Sequence, residues 1–310
     1  MRIYIPDPIH NLPLAYAEKI GEVVKWDDEK IADWHDADAL IVRTAKVTKE
    51  KMHQSTNLKI IAKHGIGTDN IDIEAAKELG IIVTNTPHAN MESVAELAVS
   101  LILSSARKVP RALNMIRNGL DKLAPKELTG VELDNKTVGL IGLGRIGQKV
   151  GNILRYGFNM DVIAFDPYLS AEAAEKLGIK KYEDLIEMLK ISDVISISVP
   201  LVPSTVNLIA KSELNVMKES SILVNTSRGK IVNEADLYDA LSTNKIGAAA
   251  LDVFEIEPPS KDNKLFELDN FIGTPHIGAA TEEALIKMGQ TAIEEIERVK
   301  NGEEPFYKVK

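Results

Sequence analysis

The sequence contains no cysteine, which excludes disulfides, thiolate catalysis and thiolate-bound metal and removes the redox signal from which a compartment is usually read. No apolar run approaches the ~20 residues that span a bilayer, and the start, MRIYIPDPIH, has no basic region followed by an apolar core and a cleavage site. A cytoplasmic protein is expected. Basic residues are in deficit, 37 against 46 acidic for a formal charge of -9. That balance argues against general binding to nucleic acid or to a membrane surface, while leaving room for a local pocket that takes a small anion. Internal repeats, low-complexity runs and long flexible linkers are missing too.

What is present is ordinary globular composition: 310 residues, 45% hydrophobic and 27% charged, enough for two domains with real cores. Between Met1 and Thr84, short β-branched runs (RIYI, EVVKW, ALIVR, KIIAK, IIVTN) alternate with polar helical stretches such as DIEAAKELG. A second series follows, TVGLIG, DVIAFD, DVISISV, SILVN, GAAALDV and NFIGT, with amphipathic segments such as EADLYDALST between several of them. Such alternation marks parallel βαβ units, so two α/β domains are expected. They are joined through SVAELAVSLILSSARKVPRALNMIRNG, whose first part is apolar around nearly its whole circumference. Either a subunit interface or the helix's own domain supplies the second buried side. The last segment, Thr281 to Gly302, reads as a long helix with an apolar stripe at Leu285, Met288, Ala292 and Ile296, able to return to either domain.

The run VGLIGLGRIGQKV carries Gly142, Gly144 and Gly147 as GxGxxG. Glycine triplets arise by chance, but this one follows a strand, opens a helix and precedes Asp166 at the end of the next strand, about 20 residues on. The glycines permit a tight turn and close approach to a pyrophosphate, whose charge the helix start attracts; Arg145 and Ile146 are expected to face the phosphates. Asp166 is expected to accept from the ribose hydroxyls and to repel a 2′-phosphate, so the cofactor reading is NAD rather than NADP. The alternative for Asp166 is a turn or helix cap within FDPYLSAE.

A dinucleotide implies hydride transfer, which needs a proton carrier and a cation for a carboxylate. The strand SILVN runs into TSRGK, and Arg228, with five donors in a fixed fork, is the natural cation. Of the six histidines, His276 in FIGTPHIGAA stands at a strand end on the edge expected to face the cofactor; a satisfied structural role is the default for the others. The carboxylate that orients it is sought in ALDVFEIEPP among Asp252, Glu255 and Glu257, and spacing does not choose between them. Nothing in the chain reads as a metal-ligand set.

GLGRIG, Asp166, NTSRG, ALDVFEIEP and TPHIG, in this order and at these separations, resemble the D-isomer-specific 2-hydroxyacid dehydrogenase family. The likeness covers essentially the whole chain, extending to LIVRTAKVT, KHGIGTDNIDIEAAKELGIIVTNTP and SVAELA, and is strongest to the short form of the phosphoglycerate branch. It implies an α/β protein of two doubly wound parallel-sheet domains separated by a cleft. These are a flavodoxin-like substrate domain (1–95 plus 284–310) and a Rossmann NAD-binding domain (96–283). The family's catalytic arginine, carboxylate and histidine fall on Arg228, Glu257 and His276, and its nicotinamide-holding aspartate on Asp252. Pro167, Pro200, Thr205, Thr226 and Gly278 fall on further cofactor-lining positions. Ile66 and Gly67 fall where the backbone seats the substrate carboxylate, and Asn90 on a polar position nearby. Arg43 and Lys63 match basic residues of the phosphoglycerate branch.

The implied substrate is a small anionic 2-hydroxy or 2-oxo acid, most closely the pair 3-phosphoglycerate and 3-phosphohydroxypyruvate of serine biosynthesis, and the implied assembly a homodimer through the SVAELAVSLIL helix. Glyoxylate or hydroxypyruvate reduction is the alternative within the family, and an NAD-sensing corepressor-like binding protein the alternative outside enzymes. Two departures stand out. Ser198 and Val199 occupy the places where many members have histidine and then threonine ahead of the proline, and GLDKLAPKELTG lacks the tryptophan and arginine often found there.

Overall fold

The computed structural model describes residues 1–120 and 126–309. Part of GLDKLAPKELTG, and with it the substrate contact considered for that run, lies outside the described residues. The chain divides into two compact units, Met1–Met91 together with the segment from Ala279 onward, and Glu92–Gly278. The first crossing falls after Met91 rather than after Ala95, because Val94 of the helix Met91–Ala106 already stands against Gly278 of the second unit. The return falls after Gly278 rather than after Glu283, because His276 to Gly278 are tied by hydrogen bonds to Asp252.

The first unit is a five-stranded parallel sheet of β1 (Arg2–Ile5), β2 (Glu22–Lys25), β3 (Ala39–Val42), β4 (Ile60–Lys63) and β5 (Ile82–Thr84), in the order β2-β1-β3-β4-β5. Every residue of β3 and β4 is buried, as expected where helices cover both faces of a parallel sheet. Alternation then sorts the side chains. Ile3, Ile5, Ile41 and Ile60 face Ala292, Ile293 and Ile296 of the helix Glu282–Lys300. Tyr4, Leu40, Val42 and Ile61 face Ala75 and Ala76 on the other side. The long C-terminal helix therefore belongs to this unit. Its close seating requires Gly289, since a Cβ there would stand 2.5 Å from Pro13.

The second unit is a seven-stranded parallel sheet of β6 (Thr137–Ile141), β7 (Asp161–Phe165), β8 (Lys180–Tyr182), β9 (Val194–Ile197), β10 (Ile222–Asn225), β11 (Ala248–Leu251) and β12 (Phe271–Gly273). Its order, β12-β11-β10-β9-β6-β7-β8, reverses direction between β6 and β9, the place where doubly wound sheets bind ligands at their carboxyl ends. The helix Met91–Ala106 buries Ala95, Ala98, Leu101, Ile102 and Ala106 in the core with Val138, Leu140 and Val224. Much of its apolar circumference is thus covered within its own unit; Glu96 and Ser100 remain exposed. Among the described residues, no helix is long and apolar enough to cross a membrane.

His64, just past β4, is 2% exposed and lies against the helix Glu282–Lys300 at Gly289, where nearby backbone, that of Leu285 included, offsets its burial only in part. Burial, reinforced by the nearby charges of Arg43 and Lys63, pushes its pKa down to about 4. A depressed folded pKa means that the unfolded chain binds the extra proton first. Stability supplied by the neutral ring is thus complete above the ordinary histidine value and is lost as pH falls from ~6.5 toward ~4, by up to about 3 kcal/mol. Replacing His64 with Met is expected to flatten this acid limb in thermal unfolding followed between pH 7 and 4; an unchanged limb would assign it to other groups.

Candidate active site

The loop that follows β6 is shaped by its glycines. Gly142 has φ +89, and a Cβ on it would meet the Ser198 carbonyl at 2.5 Å. A Cβ on Gly147 would stand 2.2 Å from the Gly142 carbonyl, so only glycine lets the helix Arg145–Phe158 start this close to the strand. Gly144 is the opposite case. A Cβ there would meet nothing within 4 Å, and no side chain caps the helix it opens. An open backbone, uncapped N–H groups around Arg145 and Ile146, and the positive end of the helix form a seat for a pyrophosphate.

Asp166 stands beside this seat and serves two structural purposes as well. One carboxylate oxygen accepts from the Leu143 N–H at 2.9 Å and the other from the Tyr168 N–H at 2.9 Å. It is therefore both the turn cap considered as its alternative role and a tie to the glycine loop. A carboxylate has about four acceptor sites, so two remain for ribose hydroxyls, and the residues present fit a dinucleotide. Pro167 is exposed beside it, and Thr226 is buried at the end of β10. The Thr205 hydroxyl closes its own loop by donating to the Pro200 carbonyl at 2.7 Å and accepting from the Val202 N–H at 2.8 Å. The Ser198 hydroxyl is buried without a partner among the described residues.

At the carboxyl end of β10, Asn225 organises the turn that carries the arginine. Its Oδ1 accepts from the Ser227 N–H and hydroxyl, and its Nδ2 donates to the Arg228 carbonyl at 2.9 Å. The sequence reading missed this role, although an Asx residue heading a turn was a legible signal. Gly229 is compelled by contact, since a Cβ there would lie 1.8 Å from the Phe254 carbonyl oxygen. The arginine turn is thereby pressed onto the loop that bears the acidic candidates.

That contest is resolved by geometry. Glu257 Oε2 lies 2.8 Å from His276 Nδ1, while its Oε1 accepts from the Phe254 N–H at 3.1 Å. Glu255 turns to the helix start at Glu234, accepting from that residue's N–H at 3.1 Å. Asp252 is wholly buried and holds the histidine turn: Oδ1 accepts from the Thr274 hydroxyl and the Ile277 N–H, and Oδ2 from the Gly278 N–H. Three of its roughly four acceptor sites are used in this way, and the one left on Oδ2 is open to the expected nicotinamide contact. Burial, the largest influence, lifts the Asp252 carboxyl above its ordinary value despite these bonds and the His276 charge. Held this way, His276 adopts φ 54, an uncommon conformation for a residue with a Cβ and one that clusters at functional sites.

The substrate candidates lie in the first unit. Lys63 does not reach outward as expected: it is 8% exposed, and its ammonium donates to the Arg43 carbonyl at 2.6 Å and the Asn70 side chain at 2.5 Å. It fastens two strand-end loops. Arg43 remains a half-exposed cation, and its loop is clasped by Asp7, which accepts from the N–H groups of Arg43, Thr44 and Ala45. The Ile66 carbonyl accepts from the Asn85 amide at 2.9 Å. Gly67 is half-buried beside it, and the Oδ1 of Asn90 is buried without a partner among the described residues.

Residues 99–278 match the family model of the D-isomer specific 2-hydroxyacid dehydrogenase, NAD binding domain. The chain is 44% identical over 308 residues to D-3-phosphoglycerate dehydrogenase of Methanocaldococcus jannaschii, covering 98% of this chain and 58% of that one. It thus spans little more than half the length of that relative. It is 46% identical over 272 residues to hydroxypyruvate reductase of Thermotoga maritima, covering 87% of each. Among solved structures, the TT0316 protein from Thermus thermophilus superposes with a TM-score of 0.92 at 34% identity over the whole of both chains.

The Glu257 carboxyl is pulled two ways. Burial raises it, but the hydrogen bond and charge of His276, the Phe254 N–H and the Arg228 charge outweigh burial and hold it below its usual value. A carboxyl depressed in this way contributes stability above its unfolded pKa and loses it as pH falls through the folded one. In carboxyl-labelled protein followed by NMR, Glu257 is expected to titrate below an exposed glutamate and to move upward in His276→Gln. A titration that ignores the substitution would show that the 2.8 Å contact does not persist in solution.

Proposed function

The chain belongs to the D-isomer-specific 2-hydroxyacid dehydrogenase family, and from that premise we propose that it interconverts a D-2-hydroxy acid and its 2-oxo acid with NAD. The observation that carries this reading is the pairing of His276 Nδ1 with Glu257 Oε2 at 2.8 Å, on loops at the carboxyl ends of adjacent strands. NAD supplies the hydride chemistry when it is bound, seated by Gly142 to Gly147 and Asp166. In the oxidation direction, Nε2 of His276 takes the hydroxyl proton, and Glu257 stabilises the imidazolium that results. Arg228 holds the substrate's carboxylate and draws charge from its carbonyl oxygen. Reduction uses the same groups in reverse.

For the substrate we propose 3-phosphoglycerate and 3-phosphohydroxypyruvate, supported by the likeness to a phosphoglycerate dehydrogenase along nearly the whole chain and by Arg43 as a half-exposed cation at a strand end. One observation favours hydroxypyruvate or glyoxylate instead: the Lys63 ammonium is spent inside its own unit, which leaves one phosphate cation where two were expected. A single charge-assisted contact worth about 1.5–3 kcal/mol supports a preference of roughly tenfold to a hundredfold. The proposed assembly is a homodimer. It is supported by exposed Val109, Leu113 and Ile116 on the helix Val109–Arg117 and by a concavity of ≈390 Å³ lined by Val99, Leu103 and Val109.

Arg228→Lys is expected to lower kcat/KM by about a hundredfold or more while NADH affinity stays within about twofold, because lysine keeps the charge without the two-pronged fork. Near-parental turnover would remove the arginine from the mechanism. A panel of phosphorylated and unphosphorylated 2-oxo acids decides the substrate: a parent that prefers hydroxypyruvate or glyoxylate ends the phosphoglycerate reading, and absence of turnover with every acid favours a binding protein. Sedimentation equilibrium is expected to give twice the chain mass at micromolar concentration, and a stable active monomer would refute the dimer.

A further inference from the structure

A glutamate is buried where the packing of a helix calls for an apolar residue. Glu295 follows Ala292 and Ile293 and precedes Ile296 on the helix Glu282–Lys300, and it is 1% exposed. A carboxylate held out of water costs free energy unless donors replace its hydration. Its Oε2 accepts from the Tyr307 N–H at 3.0 Å, on the segment that follows the helix. That segment lies antiparallel along β5, the last strand of its sheet. Lys308 bridges to Thr84, and the Val309 N–H donates to the Val83 carbonyl at 2.8 Å.

Tyr307 passes the contact on. Its carbonyl accepts from the Asn85 N–H at 3.2 Å, and its ring meets that of His88 edge-on, with 5.7 Å between centroids. Asn85 follows β5, and its side-chain amide donates to the Ile66 carbonyl at 2.9 Å. Thr86 accepts from the Gly65 N–H on its hydroxyl and donates its own N–H to the Gly65 carbonyl. Gly65 has φ +143, a conformation open to glycine and closed to residues with a Cβ, so its own backbone does little to fix the turn that follows. The direction of Ile66 and Gly67 is set by these partners. Of the two, Asn85 is the one bonded through its backbone to Tyr307. A continuous line of hydrogen bonds thus runs from Glu295 through Tyr307 and Asn85 to Ile66, within one unit.

We infer that Glu295 is a positioning residue for the substrate: by holding Tyr307 it fixes Asn85, and through Asn85 the turn at Ile66 and Gly67. The inference rests on the reading in which that turn seats the substrate carboxylate. It accounts for an acid among aliphatic neighbours, because only an acceptor holds the Tyr307 N–H, and an ionised one holds it about twice as strongly as a neutral one.

The test compares Glu295→Leu, which fills the space without an acceptor, with Glu295→Gln, which keeps one. Amide exchange of the segment 64–70, followed by mass spectrometry on the full chain without ligand, is expected to quicken in Glu295→Leu and to stay near the parent in Glu295→Gln. Steady-state kinetics are expected to show KM for the 2-oxo acid raised about three- to tenfold in Glu295→Leu, the size of one lost hydrogen bond. The NADH KM and kcat stay within about twofold of the parent, because the carboxylate seat alone is loosened. Asn85→Ala is expected to match this pattern, and the double variant to be no worse than the weaker single, since both substitutions break one line. Glu295→Ala takes the place of Glu295→Leu if the latter does not fold. Exchange and KM that are the same in the leucine and glutamine variants, or losses that add in the double variant, would overturn the inference. A parent inactive with every 2-oxo acid would overturn the proposed function instead, and the exchange comparison, which needs no turnover, would still decide whether Glu295 holds the turn.

Discussion

The geometry of the candidate site depends on one buried carboxylate. Asp252 accepts from the Thr274 hydroxyl and the N–H groups of Ile277 and Gly278, while its own carbonyl accepts from the His276 N–H at 2.8 Å. These bonds clamp the chain on either side of His276 and force the intervening residue into a left-handed conformation that costs on the order of 1 kcal/mol or more. The ring then has one direction in which to project, toward Glu257. Removing the clamp would release the backbone before it affected any reacting atom.

A second constraint ties the remaining charged group to the same place. The arginine turn is folded locally by Asn225 and pressed by Gly229 against the Phe254 carbonyl. The Phe254 N–H donates to the Glu257 carboxylate. One residue therefore touches both the turn that offers the guanidinium and the acid that orients the imidazole. The turn that carries Arg228 and the loop that carries Glu257 are thus fixed to each other through Phe254, and Glu257 in turn meets His276.

Much of this was legible in the sequence, and the reasons are local. Gly142 and Gly147 are compelled by close approaches within the loop, and Gly144 leaves its backbone open where a phosphate would sit. The runs ALIV and IIAK read as parallel because β-branched runs alternate with polar helical stretches, and their burial on both faces of the sheet agrees. What the sequence withheld depends on contacts remote in the chain. Nothing in AKHG reveals that the Lys63 ammonium turns inward to Asn70 and the Arg43 carbonyl, or that His64 lies beneath the helix that begins at Glu282. The choice among Asp252, Glu255 and Glu257 was equally closed, because three acids on one loop differ only in where the loop bends. Asp166 shows a further limit: turn cap and ribose acceptor looked like rivals in sequence, yet a carboxylate has acceptor sites enough for both.

The return of the last helix to the first unit has a consequence for the order in which the protein is made. Strands β1 to β5 leave the ribosome early, but the surface they offer through Ile3, Ile41 and Ile60 is covered only in part, by Ala17 and Ile20 of the helix Asn11–Ile20, until Ala292, Ile293 and Ile296 emerge. The edge strand β5 likewise waits for Tyr307 and Val309, which bond to Asn85 and Val83. The entire second unit is synthesised in that interval, as a continuous segment with a core of its own. Until then the first unit is a sheet with part of its isoleucine face uncovered, the kind of transiently exposed apolar surface that makes a nascent chain prone to aggregate.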